Sequence, residues 1–211
     1  AADDDARAVV LTGAGRAFSA GGSFDDFERR RVDLDFRAKS IRQAREIVEA
    51  MIGFALPVVA AVNGPAVGLG CTIATLCDIV FIASETFIAD PHVSVALVAG
   101  DGGAVGWPAS TSLVKAKQYM LTGDRIPADV AVEIGLANFS VPKDDLLDAA
   151  LAFAHRLAAQ PPQAVQQTKL LLNRHLKANA ERALQQGLDA ENASHDTPEY
   201  KTAADGMKPK D

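Results

Sequence analysis

Two short segments of the chain carry acidic and basic side chains that could transfer protons. Asp90-Pro91-His92 is followed, nine positions after His92, by Asp101 within the glycine-rich residues 100–103. A carboxylate between glycines can lie close to a ligand, and a histidine can exchange a proton near neutral pH. The same pattern also fits a turn-capping aspartate and a surface histidine, and the sequence leaves both interpretations open.

Two loops rich in small residues, residues 18–24 and 68–72, each follow an apolar run that is typical of a buried strand. Backbone N–H groups in such a loop, or at the start of a helix, can bind a carbonyl or phosphate oxygen. The first loop fits an ordinary turn equally well. The second lacks the third glycine of a dinucleotide fingerprint, where Ile73 stands, so a Rossmann site is not favoured.

The other candidate polar residues stand in the C-terminal part of the chain. Its histidines are expected to be solvated or to serve in packing: His155, His175 and His195. Its basic cluster is expected to be a solvated helix face rather than a phosphate site: Lys169, Arg174 and Lys177. The sequence contains no metal-ligand cluster, P-loop or G-x-S-x-G motif, so no metal is expected.

Composition narrows the classes of protein that the chain can represent. Its 211 residues are 48% hydrophobic and 23% charged, which is typical of a globular domain. Acidic residues outnumber basic ones by 27 to 21, and the net charge of −6 speaks against a nucleic-acid partner. We expect no membrane span, no signal peptide and two reduced, buried thiols, Cys71 and Cys77, which favours a cytoplasmic location.

Hydrophobic patterns predict strands that alternate with helices, the signature of an α/β protein. Strands are expected at residues 8–11, 58–62, 79–82 and 136–141, and helices at residues 40–52, 70–78, 112–121 and 127–134. The sequence therefore predicts an α/β core over residues 1–141 and a helical region over residues 142–211. Three separate helical stripes are expected in that region, starting near Leu146, Val165 and Leu184. Because nothing precedes the first strand to pair with it, we expect the sequence to begin inside the domain.

Taken in order, these motifs resemble the crotonase (enoyl-CoA hydratase/isomerase) superfamily. The resemblance rests on residues 9–22, VVLTGAGRAFSAGG, and on residues 56–78, LPVVAAVNGPAVGLGCTIATLCD. It continues in residues 121–125 and 135–137, so that it covers nearly the whole chain. It implies a spiral core of repeated ββα turns and a C-terminal helical region for assembly as a homotrimer, or as a hexamer built from two trimers.

The resemblance also implies an acyl-CoA substrate whose thioester oxygen accepts hydrogen bonds from two backbone N–H groups. By position these oxyanion donors fall on Gly22 and Leu69. The residues expected to line the acyl-CoA are Ala20, Gly22, Ser23, Phe24, Asp25 and Leu69. No cofactor is expected beyond the coenzyme A that the substrate carries.

The acid and base of the family's hydratases are replaced in this chain. The two glutamates that place and protonate water align with Thr72 and His92, so the two-glutamate hydration is not supported. Asp101, in a loop that resembles that of naphthoate synthases, is the first acid/base candidate. His92 is the second.

The sequence therefore predicts a hydratase/isomerase-family enzyme that acts through an enolate. Two alternative functions remain open. The spacing of His92 and Asp101 also resembles the β-diketone hydrolases, which cleave C–C bonds. Those enzymes carry additional histidines, one of which aligns with Gly70. A catalytically degenerate homologue that only binds acyl-CoA is the other alternative, and Thr72 favours it.

Overall fold

The structure, a computed structural model, describes residues 5–206 apart from the side chain of Phe24. Within that part of the chain, two sheets pack together and helices surround them. The strands are β1 (Val9–Thr12), β2 (Val58–Val62), β3 (Ala66–Val67), β4 (Ile79–Ala83), β5 (Phe87–Ala89), β6 (Ile126–Pro127) and β7 (Phe139–Val141). The helices are α1 (Phe24–Val32), α2 (Leu34–Gly53), α3 (Leu69–Thr75), α4 (Gly103–Ser110), α5 (Leu113–Thr122), α6 (Ala128–Glu133), α7 (Leu146–Ala158), α8 (Pro162–Ser194) and α9 (Pro198–Gly206).

The larger sheet is parallel, with the strand order β1-β2-β4-β7. Every residue of β2 is buried, which explains why this strand is apolar without alternation. Val58, Ala60 and Val62 face the core between the two sheets, whereas Val59 and Ala61 face α7 on the opposite side. The strands predicted at residues 8–11, 58–62 and 79–82 are confirmed within one residue at each end.

The smaller sheet supplies the second strand of each structural turn. β3 runs parallel to β5, β6 runs antiparallel to β5, and Ser19 forms an isolated bridge to Ala66 of β3. The units β2-β3-α3 and β4-β5-α4 therefore repeat one ββα pattern, and the segment from β1 through Ser19 to α1 follows the same path. The predicted spiral core is confirmed.

The C-terminal region is helical as expected, but its helices are divided differently. The stripes predicted near Val165 and Leu184 belong to the single helix α8, because neither Gly nor Pro interrupts residues 163–186. This helix packs along α2 and α4, and α7 covers the outer face of β2 and β4. The proposed division into two domains at residue 141 stays a prediction.

Lys169 corrects the expectation of a solvated basic face. Its side chain is 7% exposed, and its Nζ lies 2.7 Å from Asp78 Oδ2 and donates to the Leu56 carbonyl at 2.7 Å. The backbone N–H of Val58 donates to the same Asp78 oxygen at 2.7 Å. Lys169 is therefore a buried link between α8 and the start of β2, which the apolar periodicity of the helix could not reveal.

Two further expectations concern the thiols and the membrane. Cys71 and Cys77 are both buried and free, as predicted. Desolvation by burial raises the pKa of the Cys77 thiol to about 12, so it stays protonated at neutral pH. Among residues 5–206, none of the helices combines the length and apolar character needed to cross a bilayer.

Candidate active site

A cleft of about 520 Å³ opens between the residue 19–22 loop, the N-terminus of α3, the segment after β5 and the C-terminal part of α8. Its walls include apolar side chains from several helices, among them Phe27, Ile41 and Ile73. Asp101, His92 and the backbone of both glycine-rich loops also line it. His92, Asp101 and the two glycine-rich loops, which lie in separate parts of the sequence, therefore meet at one concave site.

Gly22 and Leu69, the predicted oxyanion donors, both line this cleft. Leu69 is the first residue of α3, where backbone N–H groups have no partner within the helix. Among the described residues, neither the Gly22 nor the Leu69 N–H donates a hydrogen bond. Both groups are therefore available to a ligand oxygen, and their oxyanion role stays a prediction.

Close packing of two glycine-rich segments sets the position of these donors. The N–H of Val67 donates to the Ser19 carbonyl at 2.9 Å, which joins the first loop to β3. A Cβ at Gly70 would lie only 2.4 Å from Ser19 Cβ, so the α3 N-terminus needs glycine there to approach the loop. Gly68 has a φ of 57°, a backbone conformation that side chains disfavour.

The remaining predicted acyl-CoA residues are not all at the cleft. Ala20 lines it, whereas Ser23 caps α1 by accepting a hydrogen bond from the N–H of Asp26 at 3.1 Å. Asp25 is exposed in the first turn of α1 and does not line the cleft. The side chain of Phe24 lies outside the described part of the structure. Contacts of these three residues with coenzyme A stay predictions.

His92 lies between two carboxylates. Its Nδ1 is hydrogen-bonded to Asp90 Oδ1, and its Nε2 lies 3.4 Å from Asp101 Oδ2. Although burial favours the neutral ring, the charge and hydrogen bonds of Asp101 and Asp90 outweigh it and raise the pKa of His92 well above its ordinary value. We therefore expect His92 to be an imidazolium at neutral pH, able to donate a proton and not to accept one.

Thr72, which the sequence resemblance aligns with a hydratase glutamate, contacts the same network. Its side chain is buried, and its Oγ1 donates to Asp101 Oδ1 at 3.2 Å. Asp101 thus has one oxygen facing Thr72 and the other facing His92. Thr72 cannot act as a base near neutral pH, but it can hold the Asp101 carboxylate in a fixed orientation.

The three groups of the network also have the residue types of a metal site. One potential ligand atom from each of Asp90, His92 and Asp101 lies within 4.8 Å of the others. However, the imidazole ring separates the two carboxylates, and each ring nitrogen faces a different one. The geometry fits a hydrogen-bonded relay better than the shared coordination of one ion.

Glu191 of α8 is a cleft residue that the sequence analysis did not identify. It is 6% exposed, it lines the cleft, and its Oε2 has no hydrogen-bond partner in residues 5–206. Burial and the charge of Asp101 raise the pKa of Glu191 to about 7, although His92 and Arg30 act in the opposite direction. A carboxyl group with this pKa can both donate and accept a proton at neutral pH.

Glu191 reaches the cleft because two glycines, Gly100 and Gly187, allow α8 to pack closely against the loop that carries Asp101. A Cβ at Gly100 would lie 2.2 Å from the Gly187 carbonyl oxygen, so α8 passes directly against the loop that carries Asp101. Gly187 stands inside α8, where glycine is unfavourable by about 1 kcal/mol relative to alanine. A glycine in a helix interior is therefore the one sequence signal that could have indicated this close approach.

We expect the Glu191→Gln variant to gain stability relative to the native protein as pH rises. Because the folded-state pKa is raised, the contribution of Glu191 is fully present below about pH 4.5 and is lost as pH rises toward 7, by about 2–3 kcal/mol. Urea unfolding at about pH 5 and about pH 8 measures this difference. Glu181→Gln, at an exposed position of the same helix, is the matched control, and an equal pH trend in both variants would contradict the assignment.

The C-terminal histidines lie away from the cleft. His155 and His175 are exposed, and His195 is buried against the Tyr200 ring, with a centroid distance of 4.8 Å. None of the three lines the cleft, in agreement with the expectation that they are solvated or serve in packing.

Comparison with known proteins identifies the family of this chain. Residues 1–208 match the family model described as enoyl-CoA hydratase/isomerase. A short-chain-enoyl-CoA hydratase from Clostridium acetobutylicum is 32% identical over 187 residues, which cover 86% of this chain and 69% of the relative. The chain spans about two thirds of the length of such curated relatives.

Solved structures show the same likeness. The crystal structure of an enoyl-CoA hydratase/isomerase from Mycobacterium paratuberculosis has a TM-score of 0.92 and 50% identity, with 96% of this chain and 80% of that chain covered. A β-diketone hydrolase from the cyanobacterium Anabaena sp. PCC 7120 has a TM-score of 0.80 and 27% identity, with 90% of this chain and 75% of that chain covered.

Proposed function

The chain belongs to the enoyl-CoA hydratase/isomerase family of the crotonase superfamily, and from this premise we propose that it acts on an acyl-CoA thioester through an enolate-like intermediate. The thioester oxygen would accept hydrogen bonds from the N–H groups of Gly22 and Leu69. Negative charge that develops on this oxygen is stabilised by such prepositioned donors, each contributing about 10²–10³ in rate. The free N–H groups in the cleft wall support this role.

The observation that carries the proposal is the relay of Asp90, His92 and Asp101, of which His92 and Asp101 line the same cleft as the oxyanion donors. In the proposed reaction, the Asp101 carboxylate exchanges a proton with the α-carbon of the thioester while the oxyanion donors hold the enolate. His92, as an imidazolium, stabilises the Asp101 carboxylate, and once Asp101 has given its proton to the α-carbon, His92 can donate a proton to the carboxylate and become neutral. Glu191 supplies a second carboxyl group, so the site retains an acid/base pair although both glutamate positions are changed.

We expect Thr72→Val to lower kcat about tenfold with little change in KM, because the Asp101 carboxylate loses the hydroxyl that orients it (~1.4 kcal/mol). Thr72→Ser keeps the hydroxyl and should restore the native rate. If the Ser and Val variants behave alike, Thr72 contributes packing and not orientation.

Cleavage of a C–C bond is the second candidate function. The pairing of His92 with Asp101 and the structural likeness to the Anabaena β-diketone hydrolase support it. Gly70 speaks against it, because the histidine that those hydrolases carry at this position would require Ser19 to move. We therefore favour hydratase/isomerase-type chemistry on an intact acyl chain.

A binding-only homologue is the least favoured alternative. Thr72 in place of a glutamate would fit such a protein. However, His92 and Glu191 both have strongly shifted pKa values within the cleft, and burying these charged groups is costly without a function. The relay therefore supports an enzyme.

Mass spectrometry of the products formed from an acyl-CoA panel tests the proposal. The panel pairs short and medium enoyl-CoAs with β-diketone thioesters. Addition of water to an enoyl chain, or migration of its double bond, is the expected result. Two carbon fragments would assign the protein to C–C cleavage, and binding without any product would support the binding-only alternative.

The proposal also includes the oligomeric state of the protein and its location in the cell. Exposed apolar side chains on the C-terminal helices support assembly as a trimer or hexamer through this region: Leu147, Leu151, Leu171 and Leu172. We further propose a cytoplasmic location and a reaction that needs no cofactor beyond the coenzyme A of the substrate.

A further inference from the structure

Arg30 is a cation in the cleft wall that the proposed reaction does not use. Three consecutive arginines occupy the last turn of α1. Arg29 pairs with Asp33 at 3.3 Å, and Arg31 pairs with Glu28 at 2.6 Å. Arg30 forms no ion pair within the described part of the chain, and its Nε is buried without a hydrogen-bond partner.

The surroundings of Arg30 contain carboxyl groups but none that binds it. Asp26, one helical turn earlier, also lines the cleft, yet no ion pair within 4 Å joins the two residues. Glu191 is close enough for Arg30 to lower its pKa, again without a direct contact. Arg30 lines the cleft, and none of the residues 5–206 accepts a hydrogen bond from its guanidinium.

Arg30 stands next to the apolar part of the cleft and close to an oxyanion donor. Phe27 on the same helix and Ile41 and Ile73 on neighbouring helices form apolar walls suited to an acyl chain. A Cβ at Gly22 would lie 3.6 Å from a terminal nitrogen of Arg30, so the guanidinium is near the place proposed for the thioester oxygen. A short acyl chain suffices to span from that oxygen to Arg30.

We propose that Arg30 binds a carboxylate at the far end of the substrate's acyl group, so that the protein prefers coenzyme A thioesters of short dicarboxylic acids. A guanidinium matches a carboxylate with two parallel hydrogen bonds, and in a partly buried cleft this pairing discriminates strongly against a methyl group. The inference rests on the proposed function, since it assumes an acyl-CoA in this cleft.

Binding of two saturated thioesters with six-carbon acyl chains, hexanoyl-CoA and adipyl-CoA, tests the inference without requiring turnover. We expect the native protein to bind adipyl-CoA more tightly by about tenfold or more, the effect of one charged hydrogen-bonded pair. Arg30→Met should remove this preference by weakening adipyl-CoA alone, and Arg30→Lys should keep part of it. Arg29→Met, on the exposed side of the same helix, should leave both affinities unchanged.

The other outcomes separate the inference from the function on which it rests. Native protein that binds hexanoyl-CoA as tightly as adipyl-CoA would overturn the inference and leave the proposed function intact. Equal weakening of both thioesters in Arg30→Met would place Arg30 against the thioester or the coenzyme A portion, which both ligands share, and would overturn the inference too. If neither thioester binds, both proposals fail. The comparison of hexanoyl-CoA with adipyl-CoA needs only the native protein. It therefore tests the inference even if the Arg30→Met variant does not fold.

Discussion

Replacing Asp101 by Asn is expected to lower kcat by about a thousandfold or more, with acyl-CoA binding changed by less than about tenfold. Asparagine has the shape of aspartate, and its amide oxygen can still accept the hydrogen bond from Thr72. It cannot accept a proton from the α-carbon, and it removes a charge that raises the pKa of His92. Steady-state kinetics together with binding of an unreactive thioester measure both quantities.

Asp26→Asn is the matched control, because Asp26 lines the same cleft without belonging to the relay. This variant should keep kcat close to the native value. Native turnover in Asp101→Asn would show that another group transfers the proton, and Glu191 would then be the first residue to replace. A loss of binding equal to the loss of turnover would instead make Asp101 a binding residue.

Replacing Lys169 by Ala is expected to lower the free energy of unfolding by about 3 kcal/mol, the lower end for a buried ion pair, because it leaves the Asp78 carboxylate, whose side chain is 22% exposed, without its cation. The change also removes the hydrogen bond to the Leu56 carbonyl, which joins α8 to the segment before β2. Urea unfolding, followed by circular dichroism, measures this loss.

Lys177→Ala provides the comparison, since Lys177 is exposed on the same helix and should contribute within about 0.5 kcal/mol. A double replacement, Lys169→Met with Asp78→Asn, should recover part of the stability because no buried charge is left uncompensated. If Lys169→Ala is no more destabilising than Lys177→Ala, the buried pair does not hold α8 in place.

Three of the four predicted strands have continuous apolar runs, and the fourth, predicted at residues 136–141, forms only over β7. β2 and β4 lie inside the larger sheet and are buried, β1 is half-buried at its edge, and the sequences of all three contain little else than apolar residues. β3 and β6 have two residues each, and such short strands carry no periodic signal. They form because the preceding strands and turns place them beside β5 in the smaller sheet.

Helix α1 was not predicted, although its sequence contains the signals of a helix. Asp25 and Asp26 stand in its first turn and three arginines in its last, both favourable to the helix dipole. Ser23 caps its N-terminus. The helix has few apolar residues, so hydrophobic periodicity does not indicate it. Its capping residue and its terminal charges do indicate it.

The residues of the candidate active site likewise include some that the sequence predicts and one that it does not. Asp101, His92, Gly22 and Leu69 could be predicted because each stands in a short motif with recognisable residue types. Glu191 stands in no such motif, and the sequence signal that α8 passes the Asp101 loop is a single glycine inside the helix, Gly187. That contact depends on two glycines, 100 and 187, which lie far apart in the chain and meet only after the helix has packed.

Exchange of solvent deuterium into the substrate tests the central claim, proton transfer at the α-carbon by Asp101, most directly. The native protein and Asp101→Asn are incubated in D₂O with the acyl-CoA panel, and the products are analysed by mass spectrometry. We expect deuterium at the α-carbon with the native protein and none above the uncatalysed level with the variant. Tight binding of the thioesters by the native protein without any deuterium at the α-carbon would contradict the account.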